Sequence, residues 1–122
     1  MGVVSNSSFS GEVLRYELEK KGLLRYFSFL VSTADYGLRK PHPQIFRVAL
    51  QKAGVSPERT WYVGNSLQFD VAGALAAGIT PVWYNRVGQD GAGSEVAAAA
   101  AEIAHWGEFP ALLWAARAES AT

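Results

Sequence analysis

Short apolar runs alternate with stretches of helical spacing along the whole chain. The first run, "GVVS" from Gly2 to Ser5, gives way from about Ser10 to Lys21 to a helical pattern with Val13, Leu14 and Leu18 on one side. Glu12 near its start and Lys20 and Lys21 near its end complement the helix dipole, and Gly22 stops it. A second run, "FSFLVST" from Phe27 to Thr33, has the aromatic and β-branched content of a strand. A loop containing Gly37 then leads into Arg39-Lys40-Pro41-His42-Pro43. Pro43 suits the first turn of a helix that carries Ile45, Phe46, Ala49, Leu50 and Ala53 and ends at Gly54. Ser56 and Pro57 cap a short turn before a third strand, "TWYV". After a polar loop, Val71 to Ala77 read as a small-residue helix ended by Gly78, and "TPVWYN", Thr80 to Asn85, as a fourth strand. "EIAHW" predicts a short last strand and Glu108 to Arg117 a closing helix.

Strands separated by helices predict a parallel sheet covered on both faces, a three-layer Rossmann-like α/β arrangement. Ligands of such sheets bind at the carboxyl ends of the strands. Ser5 to Ser7, Asn65 with Ser66, and Asn85 with Arg86 follow the first, third and fourth strands, so they are expected at one edge. Residues 1–122 form a single domain on this reading. Residues 88–101, with the Gly88 to Gly93 loop and the alanine run Val96 to Ala101, form a flexible or low-complexity connection.

Composition narrows the functional classes. Eleven basic and eleven acidic side chains cancel, which leaves no footprint for nucleic acid and no attraction to an anionic membrane. The absence of cysteine removes disulfides, thiolate metal sites and cysteine nucleophiles. No signal peptide opens the chain, and the most apolar stretch, Val71 to Tyr84, is broken by Gly73, Gly78, Thr80 and Pro81. A cytoplasmic protein is the expectation.

Four places could carry chemistry. Ser5-Asn6-Ser7-Ser8 is a hydroxyl-rich turn before a helix, suited either to an anion or simply to capping. Lys40, in a proline-stiffened loop, could hold a phosphate oxygen or remain a solvated surface charge. Asn65 and Asp70 lie five residues apart past the third strand. They could offer oxygens to a hard cation, or brace a loop and cap a helix. His42 and His105 have no partners spaced for a triad. Trp61, Trp83, Trp106 and Trp114 fit packing positions in strands or the closing helix.

In this order the segments resemble the haloacid dehalogenase (HAD) superfamily, most of whose members are Mg²⁺-dependent phosphatases. "GVVSNSS" looks like the second motif, whose phosphate-binding Ser or Thr matches Ser5. "GLRKPHPQIF" looks like the third, whose lysine, here Lys40, offsets charge on an aspartyl-phosphate. "YVGNSLQFDVAGALAAGI" resembles the fourth, a Gly-Asp followed by a second Asp that anchors the metal; Asn65 stands in the place of the first acid and Asp70 in that of the second. The resemblance implies phosphate binding by Ser5, Asn6 and Lys40, a phosphorylated small molecule as ligand, and Mg²⁺ held weakly at Asn65 and Asp70.

The first motif, the Asp-x-Asp pair that supplies nucleophile and general acid, has no counterpart, nor has the cap domain. The strand that bears it lies centrally in the family's sheet, so the core reads as truncated. Two arrangements would satisfy the backbone groups left behind. The first and third strands could pair directly, in the order 2-1-3-4-5. Alternatively, a homodimer or a partner chain could supply the missing strand. The expected function is a HAD-like hydrolase core fragment, phosphatase in type and inactive alone. The alternative is a non-catalytic binding or interaction module descended from that family. A receiver-like signalling domain would need an aspartate where Asn65 stands.

Overall fold

The computed structural model describes residues 1–120, with side chains as far as residue 116. The strands are β1 (Gly2–Ser5), β2 (Phe29–Ser32), β3 (Trp61–Gly64), β4 (Thr80–Tyr84) and β5 (Ala101–Ile103). The α-helices are α1 (Gly11–Lys20), α2 (Pro43–Ala53), α3 (Ala72–Ala76), α4 (Glu95–Ala98) and α5 (Phe109–Ser120). All strand pairs are parallel.

Local signals fix most boundaries. Ser10 caps α1 by accepting from the Val13 N–H at 3.4 Å. Gly22, at φ 70°, ends that helix, and the Leu23 N–H returns to the Leu18 carbonyl at 2.9 Å. His42 caps α2 through Nδ1, Pro43 opens the helix, and Gly54 closes it in the left-handed region. Three strands or helices differ from the sequence pattern. The second strand is trimmed to Phe29–Ser32 because Leu24–Tyr26 forms a 3₁₀ turn before it. The helix expected from Val71 starts earlier, as a π-helical turn over Leu67–Val71 capped by the Ser66 hydroxyl. The last strand stops at Ile103, so His105 and Trp106 lie in a turn, where Trp106 packs against Tyr84 and stays 55% exposed.

The strands form two sheets, β1-β2 and β3-β4-β5. Among the described residues β1 and β3 do not pair, so the continuous order 2-1-3-4-5 is not formed by hydrogen bonds. The physical reason lies in how the halves are joined. Helix α2 contacts β1, β2 and α3 and buries Ile45 and Phe46 completely. These two side chains share a core with Val31, Ala74 and Ile79, against which Val4, Phe29 and Tyr62 pack. The sheets are therefore held through their helical layer, with no backbone ladder between them.

Strand alternation shows the third layer. Val31 faces α2, while its neighbour Leu30 lies 3.7 Å from the position of a β-carbon on Gly11, at the start of α1. Tyr62 meets Phe46 edge-on with ring centroids 4.9 Å apart. Its neighbour Trp61 meets Phe109 of α5 at 5.9 Å. Helices thus cover both faces, as the alternating pattern predicts.

Gly73 sets the closeness of α3 to α2. A β-carbon there would fall 2.4 Å from Cε2 of Phe46 and 3.2 Å from the Pro41 backbone. Gly73→Ala is expected to cost about 1–3 kcal/mol through overpacking, and Phe46→Ala about 3–5 kcal/mol through the cavity it leaves. Urea denaturation followed by circular dichroism checks both; an unchanged midpoint for Phe46→Ala would show that α2 does not hold the two sheets together.

Candidate functional site

The carboxyl ends of β1 and β3 face a common group of polar side chains. Ser5 ends β1 beside Ser32 of β2, and its hydroxyl makes no hydrogen bond among the described residues. The next residue, Asn6, grips the Lys40 backbone in both directions. The Lys40 N–H donates to Asn6 Oδ1 at 2.9 Å, and Asn6 Nδ2 donates to the Lys40 carbonyl at 3.3 Å. The Ser7 N–H donates to Thr33 Oγ1 at 3.1 Å. These bonds tie the turn after β1 to the loops that follow β2.

Lys40 is directed inward. Its Nζ donates to Asp70 Oδ1 at 2.6 Å and to the Tyr62 hydroxyl at 3.2 Å. The Lys40 and Asp70 side chains are 12% and 6% exposed, so the ion pair is largely removed from water. The Tyr62 hydroxyl also reaches Asp70 Oδ1, at 3.3 Å, and the Ser66 N–H donates to Asp70 Oδ2 at 3.1 Å. Both carboxylate oxygens are engaged. Gly64 makes this possible: a β-carbon there would lie 2.3 Å from the Asp70 side chain. The π-helical turn after Ser66 brings Asp70 back over the end of β3.

Of the residues singled out by sequence, Asn6, Lys40 and Asp70 come together, and Ser5 adjoins them. Asn65 does not join them: it is exposed, and its carbonyl accepts from Trp83 Nε1 at 3.1 Å. Asp70 does not cap a helix, since Ser66 does. The donor set does not fit Mg²⁺, because Asn65 offers a neutral oxygen and the carboxylate of Asp70 is bound to Lys40. No group of three His, Cys, Asp or Glu residues suited to a metal occurs among the described residues. His42 serves as a helix cap.

Ser66 was expected at the strand-end edge without a role of its own; Tyr62 and Gly64 were not picked out as site residues from the sequence. Their signal was present in the period of two along β3. Tyr62 and Gly64 share the face turned to α2, so a hydroxyl and a vacancy alternate with the apolar Trp61 and Val63. Burial, with the negative charge of Asp70 next to it, pushes the Tyr62 phenol well above its ordinary value.

A parallel α/β core with its polar groups at the strand ends defines a Rossmann-like class. The family pattern described as haloacid dehalogenase-like hydrolase matches residues 1–84. The chain belongs to that family. It is 40% identical over 75 residues to a phosphoserine phosphatase of Thermus thermophilus, covering 62% of this chain and 30% of the phosphatase. A crystal structure of a 2-haloacid dehalogenase from Pseudomonas syringae superposes with a TM-score of 0.77 at 31% identity, covering 92% of this chain and 45% of that one. A crystal structure of a HAD phosphatase from Thermococcus onnurineus gives 0.73 at 36% identity, covering 84% and 46%. The chain thus spans less than half of each of these relatives. Among the described residues, no helix is long and apolar enough to cross a membrane.

Two measurements test the site's physics. Lys40→Met leaves Asp70 buried without its counter-charge and is expected to cost about 3–5 kcal/mol. Lys40→Met combined with Asp70→Asn should recover at least about 1 kcal/mol of that loss in a double-mutant cycle. A second variant that merely adds its own destabilisation would show that the pair is not coupled. For Tyr62, the folded state keeps its proton where the unfolded chain loses it, so stability is full below about pH 10 and falls above it, by up to about 1.4 kcal/mol per pH unit. Tyr62→Phe should flatten that alkaline decline in denaturation midpoints measured from pH 8 to 12.

Proposed function

We propose that this chain is the phosphate-holding half of a HAD-type hydrolase core and has little or no phosphatase activity by itself. The observation that carries this reading is the placement of Asn6, Lys40 and Asp70 at the carboxyl ends of two strands whose facing edges are unpaired. Ser5 adds a hydroxyl without a protein partner. Phosphoryl transfer through an aspartate needs a positioned nucleophile and neutralisation of developing charge. Asp70 is unsuited to attack, because Lys40, Tyr62 and Ser66 occupy its oxygens.

The nucleophile, on this reading, arrives on a further strand that lies between β1 and β3 and pairs with both. It would come from a partner chain or an additional segment of the same protein, since a second copy of this sequence carries no Asp-x-Asp pair. Such a strand would complete the sheet and bring its own carboxylates towards Asn65, giving Mg²⁺ the acidic ligands that are lacking among the described residues. The ligand is a small phosphorylated molecule.

The neutral amide of Asn65 favours a second reading, attack at carbon instead of phosphorus. Displacement of halide by a carboxylate leaves no phosphoryl dianion to neutralise, and a solved relative is a 2-haloacid dehalogenase.

Hydrolysis of p-nitrophenyl phosphate by the purified chain, with and without Mg²⁺, is the direct test, with chloride release from 2-chloropropionate run in parallel. The expected outcome is no turnover of either compound by the chain alone. Activity should appear when a strand peptide ending in Asp-x-Asp is supplied, and the substrate then turned over decides between the readings. Metal-dependent turnover by the unsupplemented chain that disappears in Asp70→Ala would sink the proposal of inactivity.

A further inference from the structure

A cleft of about 500 Å³ opens beyond the ends of β3 and β4, lined by neither Lys40 nor Asp70. That volume falls within the range of small-molecule sites. Its lining combines two kinds of surface. Tyr84 and Trp106 stack with centroids 5.3 Å apart and planes inclined by 26°, and Trp106 is 55% exposed. Arg86, two residues past the end of β4, is exposed. Its guanidinium makes no ion pair or hydrogen bond among the described residues.

Both surfaces are held by defined bonds. Asn85, only 5% exposed, closes the turn that carries Arg86: its Oδ1 accepts from the Gln89 N–H at 2.8 Å and its Nδ2 donates to the Gln89 carbonyl at 2.8 Å. The turn carrying Trp106 is pinned by Glu108, which accepts from the Ala104 N–H at 2.5 Å and the His105 N–H at 3.3 Å. Asn65 is fixed by its carbonyl and its side-chain amide has no hydrogen bond among the described residues. Among the described residues no carboxylate lines the cleft; Glu102 contacts Asn85 at 3.2 Å from outside that lining.

An exposed indole over a second ring is a surface for a flat aromatic group. An uncompensated guanidinium is a bidentate donor to carboxylate or phosphate. We propose that this cleft binds an aromatic anion, its ring on Trp106 and its carboxylate or phosphate on Arg86, with the Asn65 amide as a further donor. The cleft shares Gly64 and Asn65 with the candidate site but is not lined by Ser5 or Lys40, and its binding does not depend on the function proposed above.

Isothermal titration calorimetry with the whole chain tests it, using 1-naphthyl phosphate and 1-naphthoate as probes. Inorganic phosphate and acetate serve as ringless controls, and 1-naphthol as the neutral ring. Either aromatic anion should bind at least about tenfold more tightly than its ringless or neutral counterpart. Binding of both would define a general aryl-anion site, and of the phosphate alone a phosphate-selective one. Arg86→Gln and Trp106→Ala, both at exposed positions, should each weaken binding by about tenfold or more. Equal binding of 1-naphthol, equal binding of the ringless anions, or unchanged affinity in Arg86→Gln would overturn the proposal. So would loss of binding in Ser5→Ala with Arg86→Gln unaffected, which would place the ligand on the phosphate site and leave the functional reading standing.

Discussion

The buried ion pair between Lys40 and Asp70 is the contact on which the arrangement of the two sheets turns. Lys40 is gripped through its backbone by Asn6, just past β1, while Asp70 folds back over the end of β3. The pair therefore spans the gap that no backbone ladder crosses. Burying two charges is costly, and the attraction between them offsets that cost only when the remaining polar valences are filled. Here they are: Tyr62 and Ser66 complete the carboxylate, and no buried side-chain polar atom is left unpartnered among the described residues. The tie is specific rather than strong, and the apolar contacts of α2 supply the bulk of the adhesion.

That division of labour explains why two small sheets persist side by side. An interior strand normally draws on ladders at both edges, whereas β1 and β3 each have one. Their side chains are half-buried instead of buried. The fully buried strand residues belong to β2, β4 and β5, with Val31, Val82, Trp83 and Ile103 inside. The protein is thus best packed at its flanks and least packed along the line where its polar groups gather. Unpaired edges of this kind are natural acceptors for another strand.

Much of this was legible in the residues, and the failures have physical causes. Five strands and the helices α1, α2, α3 and α5 follow from hydrophobic period and from Gly22, Gly54 and Gly78, whose positive φ values match their predicted stops. Helix α4 instead lies in the stretch read as a flexible or low-complexity connection. Ser5, Lys40 and Asp70 are recognisable because each sits in a motif of fixed spacing. What could not be read was direction. A lysine after a strand is legible as a ligand for anions, but the hold of Tyr62 and Asp70 on its ammonium group is not. That Trp106 leaves more than half of its surface open while packing on Tyr84 follows only once the last strand is found to end three residues earlier. The lysine's contacts join segments far apart in sequence, which no local pattern encodes, whereas the turn at Trp106 is closed locally by Glu108.

Charge accounting at the strand ends links these observations. A lysine whose ammonium is already matched by a carboxylate 2.6 Å away presents little net field to an approaching anion. An anion at Ser5 must draw Lys40 partly away from Asp70, or come with a cation that takes over the carboxylate. Arg86 has no such competitor in its cleft, so its charge is available at once. In the chain as it stands, uncompensated positive charge at the strand ends therefore lies beside β4, where Trp106 offers an apolar face, while the charge of the motif lysine is matched by Asp70. Adding carboxylates on a strand between β1 and β3 would change that balance, because a second acid near Lys40 leaves one negative group to be satisfied from elsewhere. A divalent cation is the simplest group to satisfy it, which is why metal, nucleophile and missing strand are one question in this protein rather than three.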